Sequence, residues 1–342
     1  MKTLWLSALA LTLVAGPLHA RDARFDQLKK DLHITLAVPP QSVQSVIGLA
    51  GDSLAIGSSA ALRGGHDSKI APQRIFDTPR SAQFGFSRAL TQMGMAGIDC
   101  EECTFGYRWA RARAFPRENI FFAAQGGARV DALGEQLDRL ALPLGTLPSL
   151  ILVSFTGNDI CSVRNLTPDG RALSEEGLRK SDEVRDTLVR ELRSGIERNS
   201  AEGARIVILG AAPVLELLTN PSILNHETPV AGKDEAGRGR TCRELRTGAF
   251  PLLNQMCPLI LNTRPEDRAK LALIGELYAA VVAGQKAAVD VLRAEFAARG
   301  VTLEFNDSFR DVKFAEGDVS DDCFHPSAEG HRRLFEMLKL DY

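Results

Sequence analysis

The sequence has no internal repeat and no low-complexity stretch, which excludes a collagen-like rod or a fibre. It has no basic excess. Lys and Arg number 41 against 43 Asp and Glu, for a formal charge of −2, so the positive face of a nucleic-acid binder is not expected. Beyond residue 20 no stretch reads as long and apolar enough to span a bilayer. No cysteine follows the first apolar run, which argues against a lipoprotein anchor. A metal site of paired cysteines also lacks its second half. Cys100-Glu-Glu-Cys103 stands alone, whereas a structural zinc site needs a second ligand pair at matching spacing. The two glutamates inside that motif also disfavour the thiolate that redox chemistry requires.

Of the 342 residues 44% are hydrophobic, enough to build a core and to exclude a disordered chain. Lys2 precedes the apolar run Leu4 to Gly16, and Pro17-Leu18-His19-Ala20 leads into Arg21-Asp22. That pattern predicts a signal peptide cleaved after Ala20, and hence a secreted or periplasmic protein. The expected mature part, 21–342, reads as one domain. All six cysteines, Cys100, Cys103, Cys161, Cys242, Cys257 and Cys323, lie in it, and an oxidising compartment favours disulfides among them.

Short apolar runs alternate with helical patterns, which predicts parallel β/α units. Strands are expected at 45–50, 120–124, 150–155, 205–209 and 301–305. Helices are expected near 81–93, 131–140, 174–198, 266–299 and 328–340. The strand runs are apolar on both faces, as in a sheet covered by helices on both sides. Segment 213–264 is irregular by pattern and reads as a lid or rim.

Three of the expected strands end in residues that can carry chemistry, at the edge where open α/β sheets place their ligands. Gly51-Asp52-Ser53-Leu54 follows the first. Gln125-Gly126-Gly127-Ala128 follows the second, where glycine lets backbone N–H groups approach a ligand. Thr156-Gly157-Asn158-Asp159 follows the third, and the Asn158 amide can donate to a developing oxyanion. Near the C-terminus, Asp322-Cys323-Phe324-His325-Pro326-Ser327 spaces a carboxylate three residues before an imidazole. That contact fixes the tautomer and leaves the other ring nitrogen free to take a proton from a serine. Singly, each segment reads as a turn, a helix cap or a surface loop. Their order, Ser, Gly, Asn and Asp-His, is what lifts them above that reading.

In this order the set resembles the SGNH (GDSL) hydrolase superfamily. Gly51-Asp52-Ser53-Leu54 matches its first block, Gly127 its second with Gly126 one residue away, Gly157-Asn158-Asp159 its third and Asp322-x-x-His325 its last. The blocks span residues 51 to 325. The resemblance implies a three-layer α/β/α sandwich with a mostly parallel, flavodoxin-like sheet. It implies Ser53 as nucleophile with Asp322 and His325, and an oxyanion hole of Ser53 N–H, Gly127 N–H and the Asn158 side chain. Gly51, Asp52, Gly157 and Asp159 are their supporting neighbours. The Gly-x-Ser-x-Gly elbow of α/β-hydrolases is absent, since position 55 is Ala. Gly157-Asn158-Asp159-Ile160-Cys161 and the Cys323-Phe324-His325 run are similar to phospholipase B and acyloxyacyl hydrolase.

The implied activity is hydrolysis of acyl esters, those of lipids or phospholipids, through an acyl-enzyme. No metal or organic cofactor is required. A carbohydrate O-acetyl esterase and a ligand-binding protein on a decayed hydrolase fold are the alternatives. A thiol–disulfide oxidoreductase acting through Cys100 and Cys103 is a more distant one. No nucleic acid is expected as a partner; the expected partner is an acyl-ester substrate, at a membrane surface if it is a lipid. Cys161 and Cys323 each lie in a motif at the same expected edge, which favours their pairing and leaves Cys100–Cys103 and Cys242–Cys257. Arg108, Arg111, Arg113 and Arg117 read as a solvated basic face.

Overall fold

A computed structural model describes residues 46–57, 101–155, 157–161, 170–228, 236–245 and 257–341. The expected signal segment, the expected helix 81–93, Cys100 and Thr156 lie outside them. Five strands are present among the described residues: β1 (Ile47–Gly51), β2 (Ile120–Phe122), β3 (Leu150–Ser154), β4 (Arg205–Leu209) and β5 (Thr302–Asn306). They form one all-parallel sheet in the order β2-β1-β3-β4-β5. That is the flavodoxin-like order, in which ligands sit beyond the carboxyl ends of the strands where the order reverses. Here the reversal lies between β1 and β3.

Helices cover both faces, giving the expected α/β/α layers. They are α1 (Ser53–Ile56), α2 (Phe105–Ala112), α3 (Leu133–Ala141), α4 (Asn158–Cys161), α5 (Gly170–Arg198), α6 (Leu215–Thr219), α7 (Pro221–Leu224), α8 (Cys242–Glu244), α9 (Pro258–Leu261), α10 (Arg268–Ala297) and α11 (Ala328–Met337). Successive strand side chains point to opposite faces, and the core divides accordingly. Ile151, Val153, Ile206 and Ile208 pack with Leu137 of α3, Leu188 of α5 and Leu277 of α10. Leu150, Leu152, Val207 and Leu209 pack with Phe105 and Trp109 of α2 and Leu334 of α11. A strand buried on both sides cannot alternate polar with apolar, and β1 and β3 are buried at every position.

Two sequence expectations change. Helix α2 was not expected, because its arginines mask the apolar residues Phe105, Trp109 and Ala110, which are buried. Thr104 starts it by accepting a hydrogen bond from Tyr107 N–H at 3.1 Å. Helix α10 is, by length and composition, long and apolar enough to cross a membrane, contrary to the reading that no such stretch followed residue 20. Its apolar stripe of Leu273, Ile274, Leu277, Val281 and Leu292 lies in the core against α5 and β5.

The described part of the irregular segment carries four short helices, α6 to α9. It also holds an antiparallel bridge between Glu227 and Thr241.

Candidate active site

The first motif sits where β1 stops. Gly51 has φ +135°, and a Cβ there would stand 1.9 Å from the Ser154 carbonyl oxygen of β3. Only glycine fits. Asp52 donates its N–H to the same carbonyl at 3.0 Å. Its buried carboxylate caps α1 by accepting from Leu54 N–H at 3.0 Å. Ser53 is thereby the first residue of α1, half-buried and facing a pocket. Gln136 of α3 was not singled out by sequence. Fully buried, it accepts from Gly51 N–H at 2.6 Å and donates to Gly51 C=O at 2.8 Å. A polar residue within the apolar stripe Leu133, Leu137 and Leu140 was the available signal.

The second and third motifs interlock. Residues 125–128 form a turn closed by Ala128 N–H to Gln125 C=O at 3.1 Å, with Gly127 at φ +79°. Asn158, at the start of α4, donates its amide to the Ala128 carbonyl at 2.9 Å. Its neighbour Asp159 accepts from Val130 N–H at 3.3 Å. Burial pushes the Asp159 carboxyl up to about 7, against the Val130 N–H and the Lys180 charge, with Asp52 adding to the rise. Adjacent residues of one motif thus hold the last residue of the other and the backbone just after it. Gly157 and Asn158 line the same pocket as Ser53, and Gly127 does not. Gly157 is not sterically compelled, since a Cβ there would meet only the Phe324 ring at 3.7 Å.

In the last motif His325 Nδ1 lies 2.6 Å from Asp322 Oδ2. The other oxygen, Oδ1, accepts from Ser320 Oγ at 2.6 Å and from the Phe324 and His325 N–H groups at 2.9 Å each. Burial opposes a charge on Asp322. The His325 charge and these hydrogen bonds outweigh it and hold the carboxyl well below the usual carboxylate range. The Phe324 ring meets the His325 ring edge-on, with centroids 4.9 Å apart. A Val319–Pro326 bridge and Ser320 N–H to His325 C=O at 2.9 Å close the loop. Ser327 caps α11 through Glu329 N–H and Gly330 N–H.

Ser53, Asn158 and His325 therefore face one pocket, whose lining is otherwise largely apolar and includes Leu54, Val214, Leu217, Phe314 and Phe324. A hydroxyl, an amide donor and a carboxylate-held imidazole beside an apolar wall can perform acyl transfer. Among the described residues no group of three or more His, Cys, Asp or Glu is arranged to hold a metal.

The favoured cysteine pairing is corrected. Cys161 bonds Cys257, with Cα atoms 4.5 Å apart, and Cys242 bonds Cys323, with Cα atoms 5.5 Å apart. Cys161 and Cys323 do stand in the two motif loops, but they face different neighbours. Cys161 closes α4, which packs against α9 and α10, and Cys257 immediately precedes α9. Cys323 faces the bridged segments that hold Cys242. Cys103 is also disulfide-bonded; its expected partner Cys100 lies outside the described residues. These bonds fit an extracellular or periplasmic setting.

In the basic cluster Arg111, Arg113 and Arg117 are exposed, as expected of a solvated face, and Arg108 is half-buried. Arg108, Arg111, Arg113 and Arg117 donate to the carbonyls of Cys103, Phe115, Leu340 and Ile120. Arg113 also lies over the Trp109 ring, 4.0 Å from its centroid.

Residues 47–338 match the family described as GDSL-like Lipase/Acylhydrolase. Among solved structures, the lipase/acylhydrolase from Enterococcus faecalis is similar at 14% identity. The match covers 85% of this chain and 91% of that one, with a TM-score of 0.32. No curated protein sequence matches.

Proposed function

Since the chain belongs to the GDSL-like lipase/acylhydrolase family and is therefore an ester-bond hydrolase, we propose that Ser53, His325 and Asp322 cleave acyl esters through an acyl-enzyme. Asp322 holds Nδ1 of His325, so Nε2 takes the Ser53 proton as Oγ attacks the ester carbonyl. The carbonyl oxygen becomes an oxyanion, met by Ser53 N–H and the Asn158 amide; Gly127 N–H, which the pocket lining does not include, is assigned as third donor by the family resemblance alone. Asn158 has two amide hydrogens. The one given to Ala128 C=O orients the group, and the other serves the oxyanion. Each such donor typically accounts for a factor of about 10²–10³ in rate. His325 returns the proton to the leaving alcohol. Water, deprotonated by the same nitrogen, then attacks the acyl-Ser53 carbonyl and releases the acid.

The observation that carries this reading is the shared pocket of Ser53, Asn158 and His325. Its apolar wall of Leu54, Val214, Leu217, Phe314 and Phe324 favours an acyl chain over a sugar, and so a lipid or phospholipid ester. Cys161 just after Asn158 and Cys323 just before Phe324-His325 support a place near the phospholipase B and acyloxyacyl hydrolase branch. The disulfides support export, and residues 21–342 are read as one hydrolase domain.

The test is hydrolysis of p-nitrophenyl esters from acetyl to palmitoyl. The expected result is activity peaking at medium or long chains, reduced on the order of 10⁴-fold or more in Ser53→Ala. Activity confined to acetyl would replace the lipid reading with sugar deacetylation. Equal rates in wild type and Ser53→Ala would overturn the mechanism.

A further inference from the structure

Resting on that assignment of Asp322 and His325, the geometry points to a clasp outside the four motifs. We propose that segments 226–228 and 240–242 position His325 by gripping the chain on both sides of Asp322, through Thr228 and Cys242.

Residues 320–327 form no strand. The internal bonds of this loop fix its shape: Asp322 Oδ1 gathers three donors, and Ser320 N–H closes on His325 C=O. None of them fixes where the loop stands relative to β1, which carries Ser53. That must come from outside. After the loop, Ser327 caps α11 and donates to Gly317 C=O at 2.6 Å. Around Asp322 itself, two contacts come from the clasp. Thr228 Oγ1 donates to the carbonyl of Asp321, the residue before it. Cys242 is bonded to Cys323, the residue after it. Cys323 has a left-handed backbone, φ +60°, a conformation that is costly for a non-glycine residue and is held by its surroundings.

The clasp is itself a small ladder. Thr228 N–H donates to Arg240 C=O and Cys242 N–H to His226 C=O, both at 2.8 Å, on either side of the Glu227–Thr241 bridge. Thr241 and Glu244 cap α8 reciprocally. Thr228, Cys242 and Cys323 are all buried, so water does not compete for these contacts. His226 adds a third contact to the same loop. Its ring lies between Glu316 and Asp321, each 3.5 Å away.

The clasp thus fixes where the Asp322 carboxylate stands, and Asp322 fixes His325. It touches no substrate atom, so Thr228 and Cys242 are positioning residues. A displacement of about 1 Å at a reacting group can cost on the order of 10²-fold in rate.

The test compares Thr228→Val, which keeps the shape and removes the donor, with Thr228→Ser, which keeps the donor. The paired variant Cys242→Ala/Cys323→Ala accompanies them. Thermal melts establish that each is folded. Thr228→Val should lower kcat about 10- to 100-fold with KM within about twofold, and Thr228→Ser should restore most of it. The cysteine pair should lower kcat at least as far. A second readout does not depend on ester hydrolysis. The far-downfield proton resonance of the His325 Nδ1–H to Asp322 bond, assigned by its loss in Asp322→Asn, should broaden or shift in Thr228→Val and return in Thr228→Ser. If wild type hydrolyses no ester, the assignment of function fails while the resonance still decides the clasp. Folded Thr228→Val and cysteine-pair variants with unchanged resonance, or with unchanged kcat in an active enzyme, would overturn the proposal. So would Thr228→Ser behaving like Thr228→Val. Should Thr228→Val not fold, the cysteine pair decides alone.

Discussion

The turn that carries Ser53 and the loop that carries His325 are held in place by different means. Ser53 is set by the sheet. Its turn inherits the β1–β3 register, Gly51 lies against the Ser154 carbonyl, and Gln136 binds both backbone groups of Gly51. His325 stands in a loop that joins no strand of the sheet, shaped by one carboxylate and tied outward by side chains and a disulfide. A site assembled from both kinds divides its liabilities. Damage on the Ser53 side falls on folding, because the same contacts build the core. Damage on the His325 side falls on geometry, because the sheet stands without that loop.

Three changes probe this division, the first with the largest effect. Gly51→Ala puts a methyl group 1.9 Å from the backbone oxygen of Ser154, where β1 and β3 end, at φ +135°. Expression should yield little or no folded protein; a soluble variant with a wild-type melting temperature would break the comparison. Gln136→Leu leaves the Gly51 N–H buried and unpaired, at a cost of about 1–3 kcal/mol, while the Gly51 C=O keeps the Gln125 N–H at 3.1 Å. Urea unfolding should show that loss, with residual activity per folded molecule close to wild type.

The smallest effect belongs to His331, on the helix that follows the His325 loop. It is wholly buried, neither ring nitrogen has a hydrogen-bond partner among the described residues, and its ring stacks on Phe105 with centroids 6.2 Å apart. Burial, with the charges of Arg108 and His325, pushes it down to about 3. The folded state therefore holds it neutral, while the unfolded chain takes up a proton near the ordinary value of 6.5. Its contribution is complete above pH 6.5 and is lost as pH falls toward 3. His331→Phe should melt close to wild type at pH 7.5 and lose less stability than wild type between pH 6.5 and 4. Parallel pH curves for the two proteins would show that this histidine is not held neutral by the fold.

Much of this was legible in the sequence because the physics is local. Runs such as Leu150–Phe155 and Arg205–Leu209 are too apolar to be half-exposed, so they announced a sheet covered on both faces. The motif residues follow those runs at once, so finding the strands found Ser53, Asn158 and the turn of Gly127. Strand ends shifted by up to two residues, as at 120–122, where pairing with β1 stops before the apolar run does. What stayed hidden depends on direction in space. Gln136 looks like any polar residue of an amphipathic helix until the Gly51 backbone is set beside it. Thr228 carries no motif. The cysteine pairing could not be read, because sharing an edge of the sheet does not say which way Cys161 and Cys323 face. The arginines in and after α2 do form a largely exposed face, but the sequence did not show that Arg113 reaches the distant Leu340 carbonyl.

The two disulfides are also crossed along the chain: 161 with 257, and 242 with 323. Made from its N-terminus, the protein presents Cys242 to Cys161 while Cys257 is still unmade. The earliest partner on offer to Cys161 is therefore the wrong one, and taking it would deprive Cys323 of its own. Wherever this chain is oxidised, pairing these four in order of appearance gives an isomer with Cys323 bonded to Cys257, and the Asp322 loop tied to the wrong segment. A correct yield requires either that thiols wait for the whole chain or that a disulfide isomerase reworks the first bond.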